Sequence, residues 1–479
     1  ITLPTCLKWV DVQNINTENV ITTLRLKSGS KNISIKNVHG KNAETLIWLQ
    51  DFENAIVDNV SIKNTKEQSK WWVGKNKGRG SNGKDVVLTE GGRGLKLLNV
   101  KGEWAIERPV YCQSTDVYAD NLESINTGCF KFVGGINDGE SRIDNIYVGT
   151  GIIRRTDEDV LDNTGQIYGC ENIYYDNLKI FCEPHVDPAS FRISSNNGKI
   201  KINKIERYGG IGPLFETVGS GNTEELIINE AFYQTSGDMN GNGLLLFKKG
   251  TGIISNLEIK KAKLKVDETY NIICREVVYN PQDFYLNAKI GTLEVEGIRP
   301  TTASGIYGFV RLMNTEIAEM ILKPTANPSY MQGTGFLNNG ITVNKPINIK
   351  IVNNVEGVQF VIDISKKDEI ENLTTDYIKR IHFKRLSSTD SQHTFPTLSS
   401  LNWLFKVKSK KGGYAEFRYI NGTLTEVFNT GTNIVIGDLD STPASGKITI
   451  WKNTDGLVEV RNRIASDSYE VEIINLSVL

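Results

Sequence analysis

The sequence predicts an all-β protein, a right-handed parallel β-helix followed by an antiparallel β-sandwich, and three observations lead there. First, short alternating runs of Val, Ile, Thr, Asn and Tyr recur along 479 residues that hold 44 Gly but only 12 Pro and 4 Met, a composition of many strands and tight turns. Second, one phrase, apolar-x-apolar-x-Asn-apolar, returns through the first two thirds of the chain. Third, beyond about Ile351 the phrase gives way to alternating segments between hairpin-like turns.

The phrase appears as Ile33-Ser-Ile-Lys-Asn37-Val38, Ala55-Ile-Val-Asp-Asn59-Val60, Leu95-Lys-Leu-Leu-Asn99-Val100 and Val117-Tyr-Ala-Asp-Asn121-Leu122. It continues around Asn145, Asn177, Asn203 and Asn229, and more weakly at Asn256, with 22 to 40 residues between successive Asn. Alternation of period two inside each unit means strands, and the variable spacing means loops of different length between equivalent strands. Strands that repeat without helices between them suit coils stacked at the β spacing of about 4.8 Å. Asn tolerates the left-handed backbone that coil corners need, and stacked amides can hydrogen-bond along the axis. The repeat implies roughly a dozen coils and places a β-helix over residues 1–350. A β-propeller, the rival, would need a more regular period and four strands per blade. Residues 351–479, with segments such as Trp403–Lys408, Tyr414–Tyr419, Lys447–Trp451 and Tyr469–Ile474, read as a sandwich serving trimerisation or carbohydrate binding.

Composition also excludes. Lys+Arg and Asp+Glu number 55 and 56, which argues against a globally basic nucleic-acid binder and an acidic disordered chain. No apolar stretch reaches the roughly 18 residues of a membrane span, and the start shows no signal peptide. The chain begins at Ile1 without Met, so a preceding N-terminal part is expected. Cys6, Cys112, Cys129, Cys170, Cys182 and Cys274 have no C-x-x-C spacing and read as buried free thiols. The four His are not paired at H-x-x-x-H spacing, which argues against zinc; no metal or other cofactor is expected.

Functional chemistry is sought on outward positions of one strand per coil, because stacking brings residues distant in sequence together. In the strands before each Asn phrase, Val110, Cys112, Phe130, Phe132, Ile167, Phe191, Ile193 and Phe215 are expected to face inward. Tyr111, Lys131, Tyr168, Arg192 and Glu216 then form one outward ladder. The same residues also suit a merely solvated face. Upstream, the loop holding Trp71, Trp72, Lys75 and Arg79 lies in a segment, residues 63–108, with eleven Lys/Arg against five Asp/Glu. Adjacent Trp beside cations suits sugar stacking and carboxylate capture. Carboxylates for acid–base work include Glu103, Glu107, Asp157, Asp159, Asp162, Glu183 and Asp187; glycoside hydrolysis needs two about 5–9.5 Å apart.

The repeat, the Trp/Lys/Arg loop, the phrase Glu107-Arg108-Pro-Val-Tyr-Cys-Gln113 and the separate C-terminal β-domain together resemble a bacteriophage tailspike, a pectate-lyase-like capsular polysaccharide depolymerase. The resemblance is architectural and covers nearly the whole chain. It implies a homotrimer joined to the virion baseplate or tail by an N-terminal segment, made in the bacterial cytoplasm and acting on surface polysaccharide at the host cell. Neither nucleic acid nor membrane is implied as a partner. Asn453-Thr-Asp-Gly456 copies a polygalacturonase motif but lacks its companions and reads as a hairpin turn. The Asp-rich calcium arrangement of pectate lyases is not evident.

Three activities fit. β-Elimination at a uronic acid needs a base, an acid for the leaving oxygen and positive charge on the carboxylate. Lys131 is cast as the base, its pKa lowered by neighbouring cations such as Arg192. Tyr111 is the proton donor, Arg192 holds the carboxylate, and Trp71, Trp72, Lys75, Arg79, Arg108 and Tyr168 bind substrate. Hydrolysis would instead use Glu216 or Glu107 with a second carboxylate such as Asp187. A spike that only adheres would need the same groove and no catalyst.

Overall fold

The computed structural model describes residues 1–69, 84–134, 142–157, 164–183, 191–194, 196–210, 212–218, 221–235, 247–248, 253–266, 278–279, 285–296, 310–312, 315–323, 341–343, 347–352, 378–386, 391–395, 402–431, 433–437, 446–452, 458–464 and 467–476. The chain divides into two compact units. One is Ile1–Gly237 with Leu246–Glu258 and Phe284–Leu286; the other is Asp238–Leu245, Ile259–Asp283 and Asn287–Leu479.

The first unit is a parallel β-helix. Val10, Ile33, Ala55, Leu95, Val117, Ile146, Ile173, Ile200 and Leu226 pair in unbroken parallel register, and all are buried. Each coil consists of three short runs. In the second coil these are 33–36, 38–41 and 46–49, and the corner residues Asn32, Asn37 and Asn42 have φ of 51°, 54° and 52°. Most side chains pay about 1–2 kcal/mol to adopt this backbone and Asn pays least among the non-glycine residues, which is why the repeat is written mainly in Asn.

The amides stack as the spacing requires. Asn37 donates to Asn14 at 2.9 Å, Asn59 to Asn37 at 2.8 Å and Asn121 to Asn99 at 2.5 Å, with Asp58 accepting from Asn99 at 2.8 Å. One equivalence implied by the phrase is corrected. Asn145 stands not at the corner of Asn121 but one corner earlier, opposite Asp116, to which its amide donates at 2.9 Å. The two corners share the same Asx-apolar signature, so the phrase alone does not separate them.

Coil length also explains where loops emerge. Ile33 pairs with Ala55 and Leu95 with Val117, 22 residues apart, whereas Ala55 pairs with Leu95, 40 apart. The added residues lie between Lys63 and Asp85, and Trp71, Trp72, Lys75 and Arg79 within them fall outside the described residues. Inside the stack, Phe132, Tyr175, Phe191 and Phe215 pack edge to face at 5.6–6.1 Å between centroids. Gly165 is needed beneath Phe191, since a Cβ there would lie 2.3 Å from its ring. The thiol expectation needs amending. Cys112, Cys129 and Cys170 are buried and free, but Cys6 is exposed and Cys182 half-buried; Cys6 occupies a left-handed corner (φ 59°) of the first coil. Cys274 is outside the described residues.

In the second unit the parallel register runs Ile290, Ile317, Ile347, Ile378. The strand Ile378–Leu386 is the point of change: it pairs parallel with Ile347–Val352 on one side and antiparallel with Tyr469–Asn475 on the other. From there the antiparallel sheet continues through Asn402–Ser409, Tyr414–Ile420 and Thr423–Asn429. A further sheet orders Ser391–Phe395, Val458–Asn462, Ile448–Lys452 and Ile434–Ile436, the last pair parallel. Alternation buries Trp403, Phe405, Val407, Phe417 and Tyr419 on the former and Ile448, Ile450, Val458 and Val460 on the latter. Lys452 opposes Val458 across the Asn453–Gly456 connection, whose own residues lie outside the described set.

Two outcomes follow. Asn37→Val removes both ladder bonds and forces a β-branched residue into φ 54°, so it should cost about 2–3 kcal/mol and lower the melting temperature more than Asn37→Gly does; equal melting temperatures would contradict the corner role. A chain ending at Val352 strips Ile378–Leu386 from Ile347–Val352 and leaves an open strand edge; size-exclusion chromatography should show it aggregated, and a soluble, well-behaved product would count against this dependence.

Candidate functional site

The third run of each coil builds an outward column from residues that alternate with the buried set. Its inward side holds Val110, Cys112, Phe130, Phe132, Ile167, Phe191, Ile193 and Phe215, all buried. Register then aligns Arg25, Trp48, Leu88, Tyr111, Lys131, Gln166, Arg192 and Glu216 as successive rungs, of which Leu88 is buried and separates the Arg25–Trp48 pair from the rest.

Tyr111 and Lys131 are therefore neighbours, with the Lys131 Nζ 5.3 Å from the centre of the Tyr111 ring. The rung after Lys131 is corrected from the sequence reading. Gln166 holds it, while Tyr168 lies two residues on, opposite Val133. The Gly165–Tyr168 strand has only four residues with two outward positions, at 166 and 168, and alternation alone does not choose between them. Arg192 stands two rungs from Lys131, ~10 Å along the axis at β spacing, and its Nε donates to Glu216 at 3.3 Å. That bond uses Nε alone, so the fork of Nη hydrogens is suited to a second carboxylate.

Around Tyr111 the charges converge. Arg108 sits with its guanidinium 5.1 Å from the ring centre, its Nη2 3.0 Å from Glu107 and its Nη1 3.8 Å from the buried Asp85. Gln113 donates to the Tyr111 hydroxyl at 3.2 Å. Burial pushes the Tyr111 phenol up to about 12; Arg108 opposes the rise, and Asp85, Glu90 and Glu107 add to it. Tyr111 is consequently a neutral O–H at physiological pH, able to give a proton and unsuited to taking one.

The column also extends upstream of the residues singled out from sequence. Arg25 lies 3.7 Å over the centre of the Trp48 ring, the Trp48 indole donates to Glu90 at 3.1 Å, and Gln50 donates to the same oxygen at 2.7 Å. The signal is present in the alternation Leu24-Arg25-Leu26 and Ile47-Trp48-Leu49, which repeats that of Val110-Tyr111-Cys112 three and two coils earlier. A second aromatic column, Tyr118, Tyr147 and Tyr174, stacks face to face at 5.2 and 5.3 Å; its ring faces cover one another, so it offers edges and hydroxyls rather than a platform for sugars. Asp187, Asp159 and Asp162 are outside the described residues. Among the described residues no three His, Cys, Asp or Glu gather as a metal-binding group.

Fold and column together define a parallel β-helix that presents an aromatic and charged face along its axis. No family model and no curated protein matches the chain. Among solved structures it is similar to the tailspike protein of Acinetobacter phage vB_ApiP_P1, at 11% identity and a TM-score of 0.19, over 97% of this chain and 80% of that one.

The raised phenol gives a direct check. Below pH 10 Tyr111 is neutral in folded and unfolded chains alike, so its stabilising preference for the neutral form is complete; it is lost as pH rises through about 12. Ultraviolet difference titration of the native protein against Tyr111→Phe should show one phenolate appearing near pH 12, and an ionisation near pH 10 would refute the burial argument.

Proposed function

We propose that the chain is a phage tailspike that binds and depolymerises an acidic bacterial surface polysaccharide by β-elimination, as a homotrimer carried on the virion tail and acting at the host surface. The observation that supports this reading best is the neutral phenol of Tyr111 set between the Lys131 amine and the Arg108 guanidinium on an outward column. Elimination needs that set: one group to take the proton at C5 of a uronate, another to protonate the oxygen leaving C4, and positive charge to make the C5 proton removable. Neutral Lys131 takes the C5 proton, the freed pair forms the C4–C5 double bond, and the C4–O bond breaks with the Tyr111 hydroxyl supplying the proton to the departing oxygen. Arg108, beside Tyr111, offers the nearer positive charge for the reacting uronate, while Arg192, two rungs along, faces the carboxylate of a neighbouring sugar through its Nη hydrogens and Tyr168 flanks the chain. Residues 1–350 carry this groove and residues 351–479 serve trimerisation or glycan attachment.

A second reading, hydrolysis, draws on the carboxylates that surround Tyr111 and on Glu216. Glu216 and Glu107 are each engaged by an arginine, at 3.3 and 3.0 Å, an arrangement that serves to orient cations more directly than to protonate a leaving group.

Capsular polysaccharide incubated with the protein should gain the ultraviolet absorbance of unsaturated uronates together with new reducing ends. Lys131→Ala and Tyr111→Phe should each lower turnover by about 10²–10⁴-fold with melting temperature and assembly nearly unchanged, since Lys131 points outward and Phe keeps the packed ring of Tyr111. Glu107→Gln and Glu216→Gln should weaken it modestly. Reducing ends without absorbance, with Glu216→Gln inactive and Lys131→Ala active, would assign a hydrolase; binding without either product would leave an adhesin.

A further inference from the structure

Where the third run turns into the first, the chain leaves a notch of about 380 Å³ lined by Lys31, Asp51, Phe52, Glu53, Arg93 and Thr115 among others. Its origin is a bulge. Glu90 pairs with Gln113 but Arg93 pairs with Thr115, so one extra residue is accommodated between them. Gly91, Gly92 and Gly94 all take positive φ there. A Cβ at Gly92 would lie 2.6 Å from the Phe52 ring and one at Gly91 2.2 Å from Asp51 Oδ1, so the backbone runs directly against the notch wall. Bulges of this kind re-aim side chains beside functional sites.

The charges of the notch are balanced and already paired. Glu53 accepts from Lys31 at 2.6 Å and, through its other oxygen, from Arg93 at 3.1 Å; Asp51 accepts from Ser28 at 2.9 Å. An incoming carboxylate would have to compete with Glu53 for both cations. Hydroxyl groups need not compete, because each can donate to a carboxylate and accept from a cation while the pairs persist. Phe52, packed against Gly92 and almost wholly buried, closes the floor of the notch, so recognition rests on the polar rim. The volume lies at the low end of ligand pockets, about 300–1,000 Å³, which suits one ring and not a chain. The bulge directly follows Glu90, which ranks with Gln50 and Gln113 and accepts from Trp48 and Gln50, so the notch adjoins the run that carries the outward column.

We propose that this notch is a subsite for an uncharged, polyhydroxylated sugar ring. The proposal rests on the polysaccharide reading for what that ring belongs to, a repeat unit in which a neutral hexose adjoins the acidic one, while the recognition itself is independent of catalysis.

The test is saturation-transfer NMR on the full chain with the methyl glycosides of glucose, galactose and mannose, and with methyl glucuronide as the charged comparator. At least one neutral glycoside should receive saturation in preference to the glucuronide. Arg93→Gln and Glu53→Gln should each weaken its binding about tenfold, with Lys31→Gln as a further variant and circular dichroism melting to verify folding. Lys131→Ala should bind it as the native chain does, so loss of turnover in that variant bears on the elimination reading alone. No saturation of any neutral glycoside, preference for the glucuronide, or binding indifferent to both Arg93→Gln and Glu53→Gln would overturn the subsite.

Discussion

In a parallel stack each residue lies over the residue of the same rank in the next coil, at about 4.8 Å, and every other feature of the first unit answers to that spacing. A column must hold side chains that tolerate close repetition. Amides do so by donating along the axis, as Asn59, Asn37 and Asn14 do. Rings do so by stacking, as Tyr118, Tyr147 and Tyr174 do. Charges do so by alternating sign, as in Lys31, Glu53 and Arg93.

The same geometry makes chemistry from distant sequence. Tyr111 and Lys131 touch because one coil separates them, and Asp85, Glu107 and Arg108 join them because the third run begins beside that rung. Each contributes from a rigid strand whose opposite face is packed with buried Val110, Cys112, Phe130 and Phe132. Side chains fixed in this way hold their spacing without a loop having to order itself, which lowers the entropic cost of engaging a long, flexible ligand.

What the sequence disclosed and withheld follows from local and non-local causes. Alternation is local, so the inward set of the third run and the strand Asn402–Ser409 could be read directly. Left-handed corners are local too, which is why Asn recurs visibly. Register between coils is non-local, and it fails to show wherever a run is short or its flanking loops vary in length; Gln166 displaced Tyr168 from the column for that reason, and Asn145 moved one corner back. Alternation marks Arg25 and Trp48 as outward, but their partners are assembled across coils, and nothing in any one strand marks Glu90 as the acceptor for both Trp48 and Gln50.

The change of pairing sense at Ile378–Leu386 has a consequence for the chain's behaviour in a crowd. The last coil of any parallel stack displays unpaired N–H and C=O groups in the pattern that would recruit an identical strand, and the recruited strand would display the same pattern again, the logic of cross-β fibres. Here the parallel strand Ile378–Leu386 is met by Tyr469–Asn475 running the opposite way, and the sheet continues from there in antiparallel pairing. Self-templated growth is arrested covalently, by a segment of the same polypeptide, so the sequence that makes a long, repetitive stack also carries the signal that ends it.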